Sequence, residues 1–156
     1  MHIQIANPQH IPGILSLLRQ VGGVHHDIRP DIFRAGAIKY TAEELQSILR
    51  DPERPIFVAL EGSFVAGYCF CQHREYQDST VLTDRKELYI DDLCVDENYR
   101  GRGIAQMLYA HTQEYAKHTG CTWITLNVWQ GNHGAEKFYE KMGMTPRSTT
   151  MEMKLC

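Results

Sequence analysis

A chain of 156 residues is long enough to bury one sizeable core, and a single domain spanning 1–156 is the default expectation. Its 43% hydrophobic and 22% charged content is ordinary for a soluble globular protein, and a formal net charge of −3 offers no basic field for nucleic acid. No run of Lys or Arg marks a membrane patch, no apolar stretch approaches the length of a spanning helix, and Met1-His-Ile-Gln lacks the charged start and apolar centre of a signal peptide. Neither a nucleic-acid nor a membrane partner is therefore expected. The mild acidity suits a cationic acceptor such as an amine without deciding it. The five cysteines, Cys69, Cys71, Cys94, Cys121 and Cys156, sit mostly in or beside apolar runs, as reduced thiols of a cytoplasmic protein would. Cys69-x-Cys71 has no second pair at zinc spacing, so no metal is expected.

Ile3 and Ile5 alternate with polar residues as a short strand. Asn7-Pro8 turns the chain, and Pro12 fits only the first turn of a helix, which therefore starts near His10. Ile11, Ile14, Leu15, Leu18 and Val21 trace its buried face, and Gly22-Gly23 is expected to end it. Residues 24–40 show no clear period. Thr41-Ala-Glu-Glu44 reads as a capping box for a helix buried through Leu45, Ile48 and Leu49 and closed by Asp51-Pro52. Ile56–Leu60 and Phe64–Cys71 flank Glu61-Gly62-Ser63 as an antiparallel hairpin. Residues 77–86 are polar, a loop or a strand end.

Leu88–Val95 is a short, mostly apolar strand, and Asp96-Glu-Asn is turn chemistry. Gly101 and Gly103 follow where a loop becomes a helix, with Ile104, Met107, Leu108 and Tyr115 at helical spacing. A strand, a Gly-containing turn and a helix N-terminus leave unpaired N–H groups at the positive end of a helix dipole, a site for phosphate. Arg100 and Arg102 add guanidinium charge. Thr122–Val128 predicts another strand, Asn132 precedes a helix carrying Ala135, Phe138, Tyr139 and Met142 on one face, Gly143 ends it, and Thr149–Leu155 alternates as a last strand. The pattern predicts an α+β (mixed α/β) fold with a largely antiparallel sheet flanked by helices.

Arg100-x-x-Gly103-x-Ala105, shortly after a strand ending in Val95, resembles the (Gln/Arg)-x-x-Gly-x-(Gly/Ala) signature of the GNAT superfamily of N-acetyltransferases. Leu126–Met144, with Asn132, Phe138-Tyr139 and Gly143, resembles a second segment of that family, Met144 replacing the usual aromatic. Together the motifs cover residues 88–144. The resemblance implies a sheet splayed between the strands at 88–95 and 122–128, and acetyl-CoA as co-substrate with its pyrophosphate on Arg100, Gly101, Arg102, Gly103, Ile104 and Ala105. It further implies a pantetheine arm along Leu93, Cys94 and Val95, with Asn132 and Tyr139 facing it. A dinucleotide motif would need a third glycine where Gln106 stands, and a P-loop would need Gly-Lys-Ser/Thr.

Acetyl transfer to an amine needs a neutral amine, stabilisation of an oxyanion and a proton for the departing thiolate. The family places a tyrosine at the position of Tyr139 as general acid. Polyamine-acetylating relatives carry Glu where this chain has Asp91, which makes Asp91 the first choice of base. Asp91 and Asp92 are expected on opposite faces of their strand, and Glu87 is a further candidate base, one that would act through a water. Relatives that acetylate protein N-termini often have Glu where Asn127 stands, which argues against that subclass. His25, His26, Asp27, Arg29, Asp31, Phe33 and Tyr40 fall where the family builds its acceptor pocket, with Trp129 covering it or supporting a dimer. The expected acceptor is a small-molecule or peptide amine. A homodimer through the C-terminal strand or residues 122–128 is common among relatives. A buried Cys94 without an adjacent base stays a thiol, so direct transfer in a ternary complex is expected. The competing reading is a catalytically silent acyl-CoA-binding module, which would not need Tyr139.

Overall fold

The computed structural model describes residues 1–156. Its elements are β1 (His2–Ile5), a 3-10 turn at Pro8–His10, α1 (Ile11–Ile28), α2 (Ala42–Leu49), β2 (Ile56–Glu61), β3 (Phe64–Tyr76) and β4 (Arg85–Val95). A 3-10 turn at Glu97–Tyr99, α3 (Ile104–His118), β5 (Trp123–Leu126) and α4 (His133–Lys141) complete it. The five strands form one sheet in sequence order. Neighbours are antiparallel except β4 and β5, which run parallel because α3 crosses between them. This is the expected mixed α+β architecture.

Each face of the sheet has its own core. On one, Ile14, Leu17 and Leu18 of α1 and Leu45 and Ile48 of α2 pack on Val58, Tyr68 and Phe70. On the other, Ile104, Leu108 and Tyr109 of α3 cover Phe57, Ala59, Cys69, Leu88 and Ile90, with Phe138 and Tyr139 of α4 alongside. The capping box at α2 forms as read: the Glu44 N–H donates to the Thr41 hydroxyl at 3.1 Å, and the Thr41 N–H donates to the Glu44 carboxylate at 3.2 Å.

Three expectations change. Gly22-Gly23 does not end α1, which runs on to Ile28 and carries His25 and His26 in its last turn. Gly22 is instead a notch: a Cβ there would run into the backbone carbonyl oxygen of Ala37, so the irregular segment 29–41 lies directly against the helix. Thr149–Leu155 forms no strand. Alternation fits a pleated surface, but a strand also needs a partner edge. Here the tail is tied down by side chains, Arg147 to Glu87 at 3.4 Å and Glu152 to Arg29 at 2.6 Å, leaving Met151, Met153 and Leu155 exposed.

The third is the strand that was expected to alternate through Asp91 and Asp92. Along β3 and β4, Phe70 faces Asp92 while Cys71 faces Ile90, so Asp91 is an extra residue in a β-bulge. Ile90 and Leu93 belong to the α3 side and Cys94 to the α1 side. Asp92 meets Tyr68, and Asp91 meets Tyr40, a neighbour of the α1–α2 core. Both carboxylates therefore point to the same side, not to opposite ones. The bulge also has a backbone effect, because an inserted residue bends its strand and sharpens the twist. Pairing of β4 with β5 stops at Ile90 and Leu126, immediately before the bulge. The sheet is split from residue 91 onward.

Candidate active site

The Gly-containing turn forms the floor of a cavity of about 250 Å³. Gly101 and Gly103 hold φ of 77° and 76°, the left-handed region that excludes most side chains. Gly103 is the N-cap of α3 and supplies no side-chain cap, so the N–H groups of Ile104, Ala105 and Gln106 face outward without an intrahelical partner. A Cβ at either glycine would meet no protein atom within 4 Å, so the space above the turn is open to a ligand. Fifteen residues of α3 add their dipole to this end.

Val95, Arg100, Gly101, Gly103, Ile104 and Ala105 line the cavity as expected. Arg102 does not: its guanidinium lies 4.6 Å from the centre of the Tyr99 ring and donates to the Asn98 carbonyl at 3.4 Å. Asp96 sets the turn, accepting from the Asn98 N–H at 2.9 Å and from the Gln20 amide at 3.0 Å, which ties it to α1. Lys141 of α4 lines the opposite wall with Phe138 and Met142. Sequence reading missed this lysine, because only packing of α4 on the α3-side core brings it to the cavity that Arg100 lines. Its one signal was its place two residues after Tyr139 in the second motif.

Beyond the turn, β4 offers an unpaired backbone edge from residue 91 to Val95 on its β5 side. Leu93 and Val95 turn their side chains to the α3 side of the sheet. Cys94 turns away from the cavity, its thiol 3.8 Å from the Leu17 carbonyl, so only its backbone is left to meet a ligand there. Burial pushes the Cys94 thiol up to about 12, keeping it protonated and a poor nucleophile. Asn132 caps α4, its side-chain oxygen accepting from the Ala135 N–H at 3.2 Å, so that oxygen is committed to the helix.

Tyr139 packs on Phe138 and Tyr109, with ring centroids 5.1 and 6.3 Å away. Burial, followed by the nearby Cys69 and Asp92, holds its phenol well above the ordinary value. It is therefore a protonated donor at any working pH.

On the other side of the split sheet, Asp91 accepts from the Tyr40 hydroxyl at 2.6 Å and from the Lys39 ammonium at 2.9 Å. Tyr40 stacks on Phe70 at 5.4 Å, and the Arg54 guanidinium donates to its oxygen at 3.3 Å. Burial, then the Asp91 carboxylate, raises the Tyr40 phenol. Asp92 accepts from the Tyr68 hydroxyl at 2.6 Å, and burial raises its carboxyl above the usual range against the pull of Tyr68, Lys39 and His25. Glu87 is not near this group. It lies in the paired half of β4, bonded to Arg147.

The rim of this side is aromatic. His25 stacks on Phe33 at 5.0 Å, Phe33 meets Trp129 edge-on at 5.1 Å, and the His26 ring lies 2.7 Å from the Phe33 carbonyl oxygen. Arg29 sits 6.0 Å from the Trp129 ring and pairs with Asp31. Of the residues read as an acceptor wall, His25, His26, Arg29, Asp31 and Phe33 thus gather with Trp129 of the β5–α4 connection, whereas Tyr40 stands at Asp91 and Asp27 makes no hydrogen bond or ion pair with the group. Asn127 donates to the Tyr89 hydroxyl at 3.1 Å.

The raised Asp92 carboxyl has a measurable sign. A carboxyl whose folded value is raised contributes stability below its ordinary range, and that contribution is lost as pH rises through the raised value. Asp92→Asn removes the charge that must be buried and keeps an acceptor for Tyr68. Thermal melts from about pH 4 to about pH 8 should therefore show a smaller decline for the variant. Equal slopes would contradict the burial of this group.

Comparison with known proteins agrees with this geometry. Residues 23–144 match the model of the Acetyltransferase (GNAT) family. The chain is 29% identical over 147 residues to peptidyl-lysine N-acetyltransferase YjaB of Salmonella typhimurium, covering 92% of this chain and 83% of that protein. It is 32% identical over 75 residues to the uncharacterized N-acetyltransferase YdgE of Bacillus subtilis, where the match spans 48% of each, about half the length of that relative. Among solved structures, a mutant of the BH1408 protein from Bacillus halodurans superposes with a TM-score of 0.95 at 29% identity, covering all of both chains. Aminoglycoside N-acetyltransferase AAC(6')-Iy in complex with CoA has the same fold, with a TM-score of 0.72 at 18% identity over 99% of this chain and 100% of that one. An uncapped helix start beneath a glycine turn, a sheet split at a bulge and a half-buried tyrosine packed on the α3-side core occur here in a chain that belongs to the GNAT family of acetyl-CoA-dependent N-acetyltransferases.

Proposed function

We propose that this protein transfers the acetyl group of acetyl-CoA directly to a primary amine of a small molecule or a peptide, with both substrates bound at once. What carries this reading is the bulge at Asp91, which opens the sheet and sets a carboxylate at the opening in one step. The diphosphate would lie on the N–H groups of residues 104–106, with Arg100 and Lys141 supplying positive charge from opposite walls. The free backbone edge at Leu93, Cys94 and Val95 would hold the pantetheine amide and the thioester oxygen.

In this scheme the acceptor enters as an ammonium on the Asp91 side and gives a proton to that carboxylate. Its nitrogen forms a bond to the thioester carbon, the carbon–sulfur bond breaks, and the departing thiolate takes the phenolic proton of Tyr139. The amine loses two protons in all: the first leaves Asp91 for solvent, and the second, shed as the amide forms, is matched by the one Tyr139 recovers from solvent. Asp92, fixed by Tyr68, positions the bulge. The aromatic rim of Phe33 and Trp129 suits the aliphatic arm of a lysine or polyamine better than a bare hydrophilic acceptor. YjaB's name gives peptidyl-lysine as its acceptor, within the same class. Free, buried thiols at Cys69, Cys71 and Cys94 suit a cytoplasmic setting. The exposed apolar residues Met151, Met153 and Leu155 support a homodimer through the tail.

Calorimetry with acetyl-CoA, ATP and NAD, followed by thiol release with polyamines, aminoglycosides and lysine peptides, tests this reading. Binding of acetyl-CoA alone, with release that requires a primary amine, is the expected result. Binding without release across the panel would make the chain a silent acyl-CoA module.

A further inference from the structure

Lys39 occupies a particular place. It lies in the irregular segment 29–41, yet its ammonium reaches across to β4 and sits 2.9 Å from the Asp91 carboxylate. That carboxylate stands at the bulge where the sheet opens, and the Tyr40 hydroxyl holds its second oxygen. The Lys39 side chain is 45% exposed, so its amine has room to move, while its partner Asp91 is 23% exposed. A primary amine of this chain thus rests on the group to which an incoming amine would give its proton. The neighbouring Asp92 senses both sides of the opening: the Lys39 ammonium pulls its carboxyl down, and the Asp92 charge in turn raises the Tyr139 phenol.

We infer that Lys39 is itself an acceptor, acetylated by the acetyl-CoA bound to its own chain. This inference rests on the proposed transferase activity and names an internal substrate for the same site. The Lys39 ammonium gives a proton to Asp91, and its Nζ bonds to the thioester carbonyl carbon. The carbon–sulfur bond breaks and coenzyme A leaves as a thiol with the Tyr139 proton; the nitrogen sheds its second proton as the amide forms, which restores Tyr139 through solvent, and Asp91 passes the first to solvent. One ammonium and one thioester become one amide, one thiol and one proton released to solvent. The product has no charge at Nζ, so Asp91 is left to Tyr40 and is free for the next amine.

The full chain, incubated with isotopically labelled acetyl-CoA and mapped by peptide mass spectrometry over time, tests this. Lys39 should gain the acetyl group at least about tenfold faster than Lys117, a well-exposed lysine on α3 that reports plain chemical acetylation. The rate at Lys39 should be unchanged on tenfold dilution of the protein, and Tyr139→Phe should slow it. Labelling of Lys39 no faster than of Lys117, or at a rate proportional to protein concentration, would overturn the inference. The same samples, assayed for thiol release with external amines, separate the two failures. Release with an unlabelled Lys39 removes the internal acceptor and leaves the transferase; neither release nor labelling removes both.

Discussion

Tyr139→Phe is expected to leave acetyl-CoA affinity intact and to lower kcat by more than about tenfold, within the roughly 10²–10⁴-fold span of a lost general acid. The variant keeps the ring that packs on Tyr109 and Phe138, so folding and the cavity wall should be preserved. What it lacks is the one proton the departing thiolate needs. The pH profile gives a second readout. Because burial holds the Tyr139 phenol above its ordinary value of 10.0, it stays protonated as pH rises, and the native rate should show no loss of this acid up to about pH 10. Calorimetry for affinity and steady-state thiol release for kcat check both parts. An unchanged kcat would remove Tyr139 from the chemistry and leave it a core aromatic.

The second large effect is on binding. Gly103→Val is expected to weaken acetyl-CoA by at least about tenfold, or about 1.4 kcal/mol, measured by calorimetry. A Cβ there meets no protein atom within 4 Å, so the side chain grows into the space left for the ligand. A β-branched residue at φ 76° also strains the backbone by roughly 1–2 kcal/mol, which lowers Tm. Gly62→Val separates the two contributions. Gly62 has φ 59° and equally open surroundings, but lies in the β2–β3 turn and does not line the cavity. It should lower Tm similarly and leave affinity unchanged. Equal affinity for native protein and Gly103→Val would mean that the turn does not hold the diphosphate.

The parts of this molecule that could be read from sequence are those whose cause is local. Thr41 and Glu44 cap each other over three residues, and Gly101 and Gly103 need nothing beyond their own φ to shape the turn. The hairpin of β2 and β3 followed from the spacing of two apolar runs about Glu61-Gly62-Ser63. What escaped reading depends on contacts far apart in the chain. Gly22 looked like a helix stop, since its reason for being glycine is a carbonyl fifteen positions later. Asp91 and Asp92 looked like opposite faces, because a bulge is a property of a strand pair and the partner strand lies some twenty residues earlier. Lys39 and Tyr40 fell in a stretch with no period, and only folding brings them to Asp91. The tail alternated without an edge to join.

The added residue of β4 does two jobs in one position: it contributes a carboxylate, and it parts the strands beside it. A deletion of that single amino acid would therefore do more than remove an acid. The remaining residues would fall back into strict alternation, with Asp92 still on the α1 side. β5 would meet a straight neighbour and be able to zip onward past Leu126, closing the slot proposed for the thioester. Opening and acidity thus rest on one residue of this strand, whereas a substitution at Asp91, which leaves strand length untouched, would change the acid and keep the bulge.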